Sequence, residues 1–212
     1  MWFDQSAPPH RWAEAARHLS KQRGMRRIIK DVGPCTLAPK RDTFVLLIKS
    51  ILSQQVSTAA AASMFKKFAG RFPRKKPTPT LVHDALTGGW TDDEIRACGI
   101  SRQKRGYLTS LAALYADGTI QPRKLRRMSN ADVIDNLTQI KGIGVWTVEM
   151  LLIFGFNRED VWPVGDLGLR NALTLYHGLD QRPDIKDCVP LGDPFTPYRS
   201  IATWYLWRSL GE

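Results

Sequence analysis

At 212 residues the chain can bury a substantial core, as one domain or two small ones. Lys and Arg total 31 against 20 Asp and Glu, a formal charge of +11, which favours polyanionic partners: nucleic acid first, an anionic membrane surface second. The most apolar window, Val145 to Phe156, is far shorter than the ~20 residues of a membrane span and contains Glu149, so no membrane association is expected. The three cysteines, Cys35, Cys98 and Cys188, are scattered singly. They match neither a disulfide framework nor the ligands of an iron–sulfur cluster, and a reducing, cytoplasmic setting (nucleoid-associated, or nuclear in a eukaryote) fits them. The opening residues, MWFDQSAPPHRW, contain no apolar stretch of the kind a secretory signal needs.

In chain order, residues 11–31 carry Trp12, Ala15, Ala16, Leu19, Ile28 and Ile29 at helical spacing, with Gly24 as a candidate break. After the connector 33–39, Asp42 or Thr43 is an N-cap for the almost wholly apolar stretch Phe44 to Leu52, which predicts a buried helix. The polar run 53–58 interrupts it, and a small-residue helix from Ala59 to Phe68 ends at Gly70. A basic, proline-rich loop (71–79) leads to two short helices over 80–86 and 92–98. Ser101 caps the next helix, whose apolar stripe is Tyr107, Leu108, Leu111, Leu114 and Tyr115 and whose stop is Gly118. Ser129 and Asn130 cap a helix over 131–139, residues 166–177 form another, and the aromatic-rich stretch 197–210 forms the last. No window alternates as a strand would, so the expected class is all-α.

Between two of these patterns sits Lys141-Gly142-Ile143-Gly144, a turn read here as too tight for side chains at either glycine. The helix starting near Val145 directs its unpaired N–H groups and positive dipole end out of that turn, which makes it a candidate anion site; an ordinary helix–helix turn is the competing reading.

The run Leu137-x-x-Ile140-Lys141-Gly142-Ile143-Gly144-x-Trp146-Thr147-Val148, followed by Pro163-Val164-Gly165-Asp166-Leu167-Gly168-Leu169-Arg170, resembles the helix-hairpin-helix (HhH-GPD) DNA glycosylase superfamily. The branch it resembles best is the bacterial 3-methyladenine DNA glycosylase II type, which is supported by Ile51-Leu52-Ser53-Gln54-Gln55-Val56-Ser57 and Pro197-Tyr198-Arg199-Ser200. The likeness covers roughly residues 40–208. The chain departs from the better-studied form in lacking a long N-terminal β domain and in placing Gly165 where an acidic residue often precedes the aspartate.

The resemblance implies two helical lobes with a DNA-binding cleft between them: a six-helix lobe over 42–150 containing the hairpin, and a second built from 1–41 plus 151–212, with Asp166 on the cleft floor. It implies a phosphate grip from Lys141, Gly142, Ile143, Gly144 and Thr147. The backbone carbonyls of Thr138, Ile140 and Ile143 would hold a structural K⁺ or Na⁺, and no other cofactor is expected. Asp166 would be the carboxylate that stabilises an oxocarbenium-like sugar, although an N-cap for the following helix explains an aspartate there equally simply. Trp146 and Trp207, with Met150, would line the pocket for the base, and stacking and cation–π attraction suit electron-poor rings. Gln55, with Gln54 beside it, would plug the duplex once the base has been flipped out, helix-end capping being the alternative.

Members that also nick the strand carry a lysine two residues after the second glycine, where this chain has Trp146, so no lyase activity is expected. None of His10, His18, His83 or His177 lies in the central stretch to protonate a departing base. Cationic alkylpurines such as 3-methyladenine and 7-methylguanine leave without that help. Lys104, Arg105, Lys124, Arg126 and Arg127 are further candidates for phosphate contacts. The expected partner is double-stranded DNA containing damaged bases, bound by a monomer. Two other readings remain at this stage: a non-catalytic hairpin DNA-binding protein, and a glycosylase for an uncharged lesion such as hypoxanthine.

Overall fold

The computed structural model describes residues 10–40 and 42–211; the first nine residues, examined above for a signal, lie outside it. The described residues are all-α, thirteen α-helical segments with no strand among them. None of these helices is long and apolar enough to cross a membrane. The chain divides into two compact units, one formed by Lys40–Leu151 and the other by the N-terminal residues up to Pro39 together with those from Leu152 onward.

In the first unit, α3 (Thr43–Ser53) is the buried centre. Leu46, Leu47, Ile48, Ile51 and Leu52 are all but inaccessible, since an all-round apolar helix must be covered on every side. Asp42 caps it, accepting the Val45 N–H at 3.0 Å. Against α3 pack α4 (Thr58–Gly70), α7 (Arg102–Ala116) and α10 (Val145–Met150), while α7 also carries α5 (Pro79–Asp84), and α9 (Asn130–Thr138) lies on α10. Ser57, Thr78, Ser101 and Ser129 each accept a first-turn N–H as N-cap, and Ser129 with Asp132 closes a capping box. This unit has eight α-helical segments rather than the six expected. The short helix expected over 92–98 is present as α6 (Asp92–Ala97), and the unexpected piece is α8 (Pro122–Leu125), four residues long and too short to show a periodicity of its own.

The second unit is built on α13 (Arg199–Ser209), whose Ile201, Ala202, Tyr205 and Leu206 are fully buried. It packs on α1 (Ala13–Leu19), α2 (Arg23–Val32) and α11 (Leu167–His177). The connector over 33–39 is pinned at both ends: the Trp12 indole donates to the Leu37 carbonyl at 2.8 Å and the Tyr205 hydroxyl to that of Gly33 at 3.2 Å. Gly24 does not break the first helical stretch. The break falls at residues 20–22, and Gly24 lies inside α2, where an added Cβ would sit 2.6 Å from the Tyr176 ring. Its bareness serves packing, which the sequence pattern cannot distinguish from a stop. A further helix, α12 (Ile185–Leu191), escapes the sequence reading because Ile185 and Val189 are exposed and Pro190 lies within it.

Candidate functional site

The hairpin joins α9 to α10 through Gln139–Gly144. Its two glycines do different work. Gly142 has φ +90, and a Cβ there would fall 2.1 Å from the Tyr107 ring, so both backbone and neighbour demand glycine. Gly144 has an ordinary extended backbone (φ −92, ψ 172), and a Cβ there would meet nothing within 4 Å. The expectation that both positions are too tight is therefore corrected: the second glycine leaves open space outside the turn, at the uncapped start of α10. A helix beginning behind a bare backbone lets an anion approach the N–H groups directly. Lys141 is exposed beside it. Together with Gln54, Tyr107, Trp146 and Thr147, residues 138–144 line a hollow of about 530 Å³. Of the three carbonyls assigned to a cation, that of Ile140 already accepts the Ile143 N–H at 2.9 Å, and a carbonyl oxygen has a second lone pair to offer.

The two glutamines at the end of α3 part company. Gln54 turns inward, its amide donating to the Gly142 carbonyl at 2.9 Å and to Thr147 Oγ1 at 3.3 Å. It is a strut under the hairpin, which removes it from the wedge. Thr147, expected to contact phosphate, is buried with its hydroxyl facing that strut. Gln55 is exposed and held at φ +57, a conformation uncommon outside glycine. The same turn consumes Lys104, whose ammonium donates to the Leu52 and Gln54 carbonyls at 2.6 and 3.0 Å, and burial pulls its pKa below that of an ordinary lysine. Arg105 donates twice to the Leu86 carbonyl and pairs with Asp92 at 2.5 Å. Both cations close helix ends, where orphan carbonyls attract positive charge. Lys124, Arg126 and Arg127 are exposed. Trp146 is half-buried, whereas Met150 is 2% exposed and sits in the core of its unit.

In the second unit, Asp166 is the N-cap of α11, its Oδ1 accepting the Leu169 N–H at 2.7 Å. The same oxygen accepts the Trp207 indole N–H at 2.8 Å. Trp207 is 4% exposed and its ring stacks on Phe154 at 5.8 Å and 12°. The loop ahead of Asp166 is anchored twice. Trp162 is buried and donates to the Cys188 carbonyl at 2.8 Å, fitting against Gly192, where a Cβ would fall 2.6 Å from the indole nitrogen. Asp160 takes a fork of bonds from Arg199, at 2.6 Å from Nε and 2.7 Å from the terminal nitrogen. That guanidinium holds the Asp160 carboxyl below the usual carboxylate range. Ser200 completes the tie, its N–H donating to the Glu159 carbonyl and its Oγ accepting from Val161. The sequence reading quoted Arg199 and Ser200 only as a likeness; the structure shows them fixing the strap that leads to the aspartate.

An N-capping carboxylate with two N–H donors on one oxygen is fixed in direction and half-buried, the state in which a negative charge can meet a developing cation. His177 cannot serve it as a proton donor, since it lies at the opposite end of α11, roughly 16 Å along the helix axis. Among the described residues no group of His, Cys, Asp and Glu is placed to hold a metal ion.

Known proteins share this chain's sequence and form. Residues 48–188 match the model of the HhH-GPD superfamily base excision DNA repair proteins. The chain is 38% identical over 207 residues to DNA-3-methyladenine glycosylase 1 of Schizosaccharomyces pombe, covering 92% of this chain and 86% of that one. It is 32% identical over 204 residues to an alkylbase DNA glycosidase-like protein of the same yeast, covering 93% of each. Among solved structures it is similar to the Schizosaccharomyces pombe 3-methyladenine DNA glycosylase in complex with abasic DNA, with a TM-score of 0.84 and 36% identity over 94% of this chain and 97% of that one.

Proposed function

The chain belongs to the HhH-GPD superfamily of base excision DNA repair proteins, and from that premise we propose that it is a monofunctional DNA glycosylase releasing alkylated purines, 3-methyladenine and 7-methylguanine, from duplex DNA. The observation that carries this reading is the Asp166 carboxylate, held at the start of α11 by the Leu169 and Trp207 N–H groups.

In the proposed reaction the bond from the sugar C1′ to the purine nitrogen breaks and its electron pair leaves with the base. A methylated purine bears a positive charge in DNA, so it departs neutral without a proton from the protein. Positive charge builds on the sugar as it leaves, and Asp166 stabilises that charge. A water oxygen then bonds to C1′, losing its proton to the carboxylate or to solvent. Trp146, half-buried beside the hairpin, supplies aromatic surface for an electron-poor ring, worth ~0.5–2 kcal/mol. The hairpin turn, bare at Gly144, receives a backbone phosphate, and Gln55 fills the space left by the flipped nucleotide.

A panel of duplex oligonucleotides bearing 3-methyladenine, 7-methylguanine or hypoxanthine tests the assignment. Free base should appear from the first two and not from the third, with no covalent adduct after borohydride, because Trp146 stands where a lyase needs an amine. Release of hypoxanthine alone, or a trapped Schiff base, contradicts it.

A further inference from the structure

Trp207 touches the aspartate through its edge rather than its face, and a neighbouring glycine makes that contact possible. The indole nitrogen lies 2.8 Å from Asp166 Oδ1, the oxygen that also takes the Leu169 N–H at 2.7 Å. The indole cannot swing away easily: it is 4% exposed and lies nearly parallel to Phe154. Gly168, two residues after the aspartate, lies against the contact. A Cβ there would sit 3.1 Å from Asp166 Oδ1 and equally close to Trp207 Cδ1 and Nε1, tighter than side chains ordinarily pack. Carboxylate, indole edge and bare helix turn thus form one close-fitting unit on α11 and α13.

We propose that Trp207 is a positioning residue for Asp166, its N–H and the space left by Gly168 together fixing the carboxylate in one orientation, separately from any stacking of the ring on a bound base. The proposal rests on the reading of Asp166 as the charge-stabilising group. A carboxylate held by a backbone N–H and an indole N–H has little freedom to rotate, so less reorganisation is required as the sugar becomes cationic.

The test is Trp207→Phe, which keeps an aromatic ring on Phe154 and deletes the N–H. Steady-state release of 7-methylguanine from methylated duplex is followed at neutral pH. Expected are a kcat lower by about 10–100-fold, the usual worth of a hydrogen bond to a charged group, and a KM within about twofold of wild type. Gly168→Ala, which leaves both groups in place and presses on their contact, should lower kcat in the same direction and covers the case in which the phenylalanine variant does not fold. An unchanged kcat in either folded variant overturns the proposal. So does a loss confined to KM, which would assign Trp207 to base stacking alone. A wild-type protein that releases no methylated base contradicts the proposed function itself, and the positioning role with it.

Discussion

Gln55 is held at φ +57 with its side chain in solvent, a backbone state that costs a non-glycine residue on the order of 1 kcal/mol unless its surroundings impose it. The surroundings here are specific. Lys104 takes the carbonyls on either side of Ser53, and the Gln54 amide is fastened to Gly142. The side chain proposed to enter the duplex is therefore mounted on the same bonded turn as the hairpin proposed to grip the backbone. Gln55→Ala should weaken binding to abasic-site DNA about 10-fold or more while leaving the melting temperature nearly unchanged, because the side chain buries nothing in the free protein. Parallel losses of stability and affinity, measured by thermal denaturation and by titration of abasic duplex, would instead make it a capping residue. At this scale the sequence was partly legible. The polar break at 53–58 was visible, but which glutamine faced outward was not, because their difference lies in one backbone angle and in partners about 90 residues away. The hairpin glycines show the same limit: G-x-G marks a turn, and only the positive φ of Gly142 and the approach of Tyr107 separate the glycine that must be bare from the one that is merely open.

Among the elements, α13 and the strap over 159–161 bear most directly on the site, since one carries Trp207 and the other leads to Asp166. Their tie is the Arg199–Asp160 pair, with both side chains about 30% exposed. Because Arg199 depresses the Asp160 pKa in the folded state, the pair adds stability above the ordinary carboxylate range, and that contribution is lost as pH falls through the depressed value. Asp160→Asn should accordingly lower stability by about 1–3 kcal/mol at neutral pH, with the gap to wild type closing in acid below the ordinary carboxylate range. Thermal melts across that range check it, and a gap independent of pH would show that the ion pair contributes nothing through its charge. Helices with a long apolar stripe and a capping residue (α3, α7, α9) were readable from sequence, whereas α12 and the π-helical turns at Ala85–Gly89 and Leu151–Gly155 were not. Those depend on tertiary packing, and α12 leaves Ile185 and Val189 in solvent. The aspartate was legible in both of its readings, and the structure makes it an N-cap without removing it from the chemistry.

For the molecule as a whole, an excess of positive charge and an all-α pattern with a glycine-marked hairpin point to nucleic acid from the sequence alone. Charge alone does not reveal a cation's local partners: Lys104 and Arg105, both candidates by type and position, donate to carbonyls within their own unit. The three cysteines are buried and free, and burial lifts the Cys35 thiol to about 12, so they behave as small core residues. The central claim is that a single carboxylate separates an enzyme from a DNA-binding hairpin protein. The most direct measurement compares wild type with Asp166→Asn for release of free methylated base from alkylated duplex, alongside their affinities for abasic-site DNA. The account predicts that release falls by at least about 100-fold, the scale of losing an electrostatic stabiliser from a reacting site, while affinity stays within a few-fold; undiminished release by Asp166→Asn would contradict it.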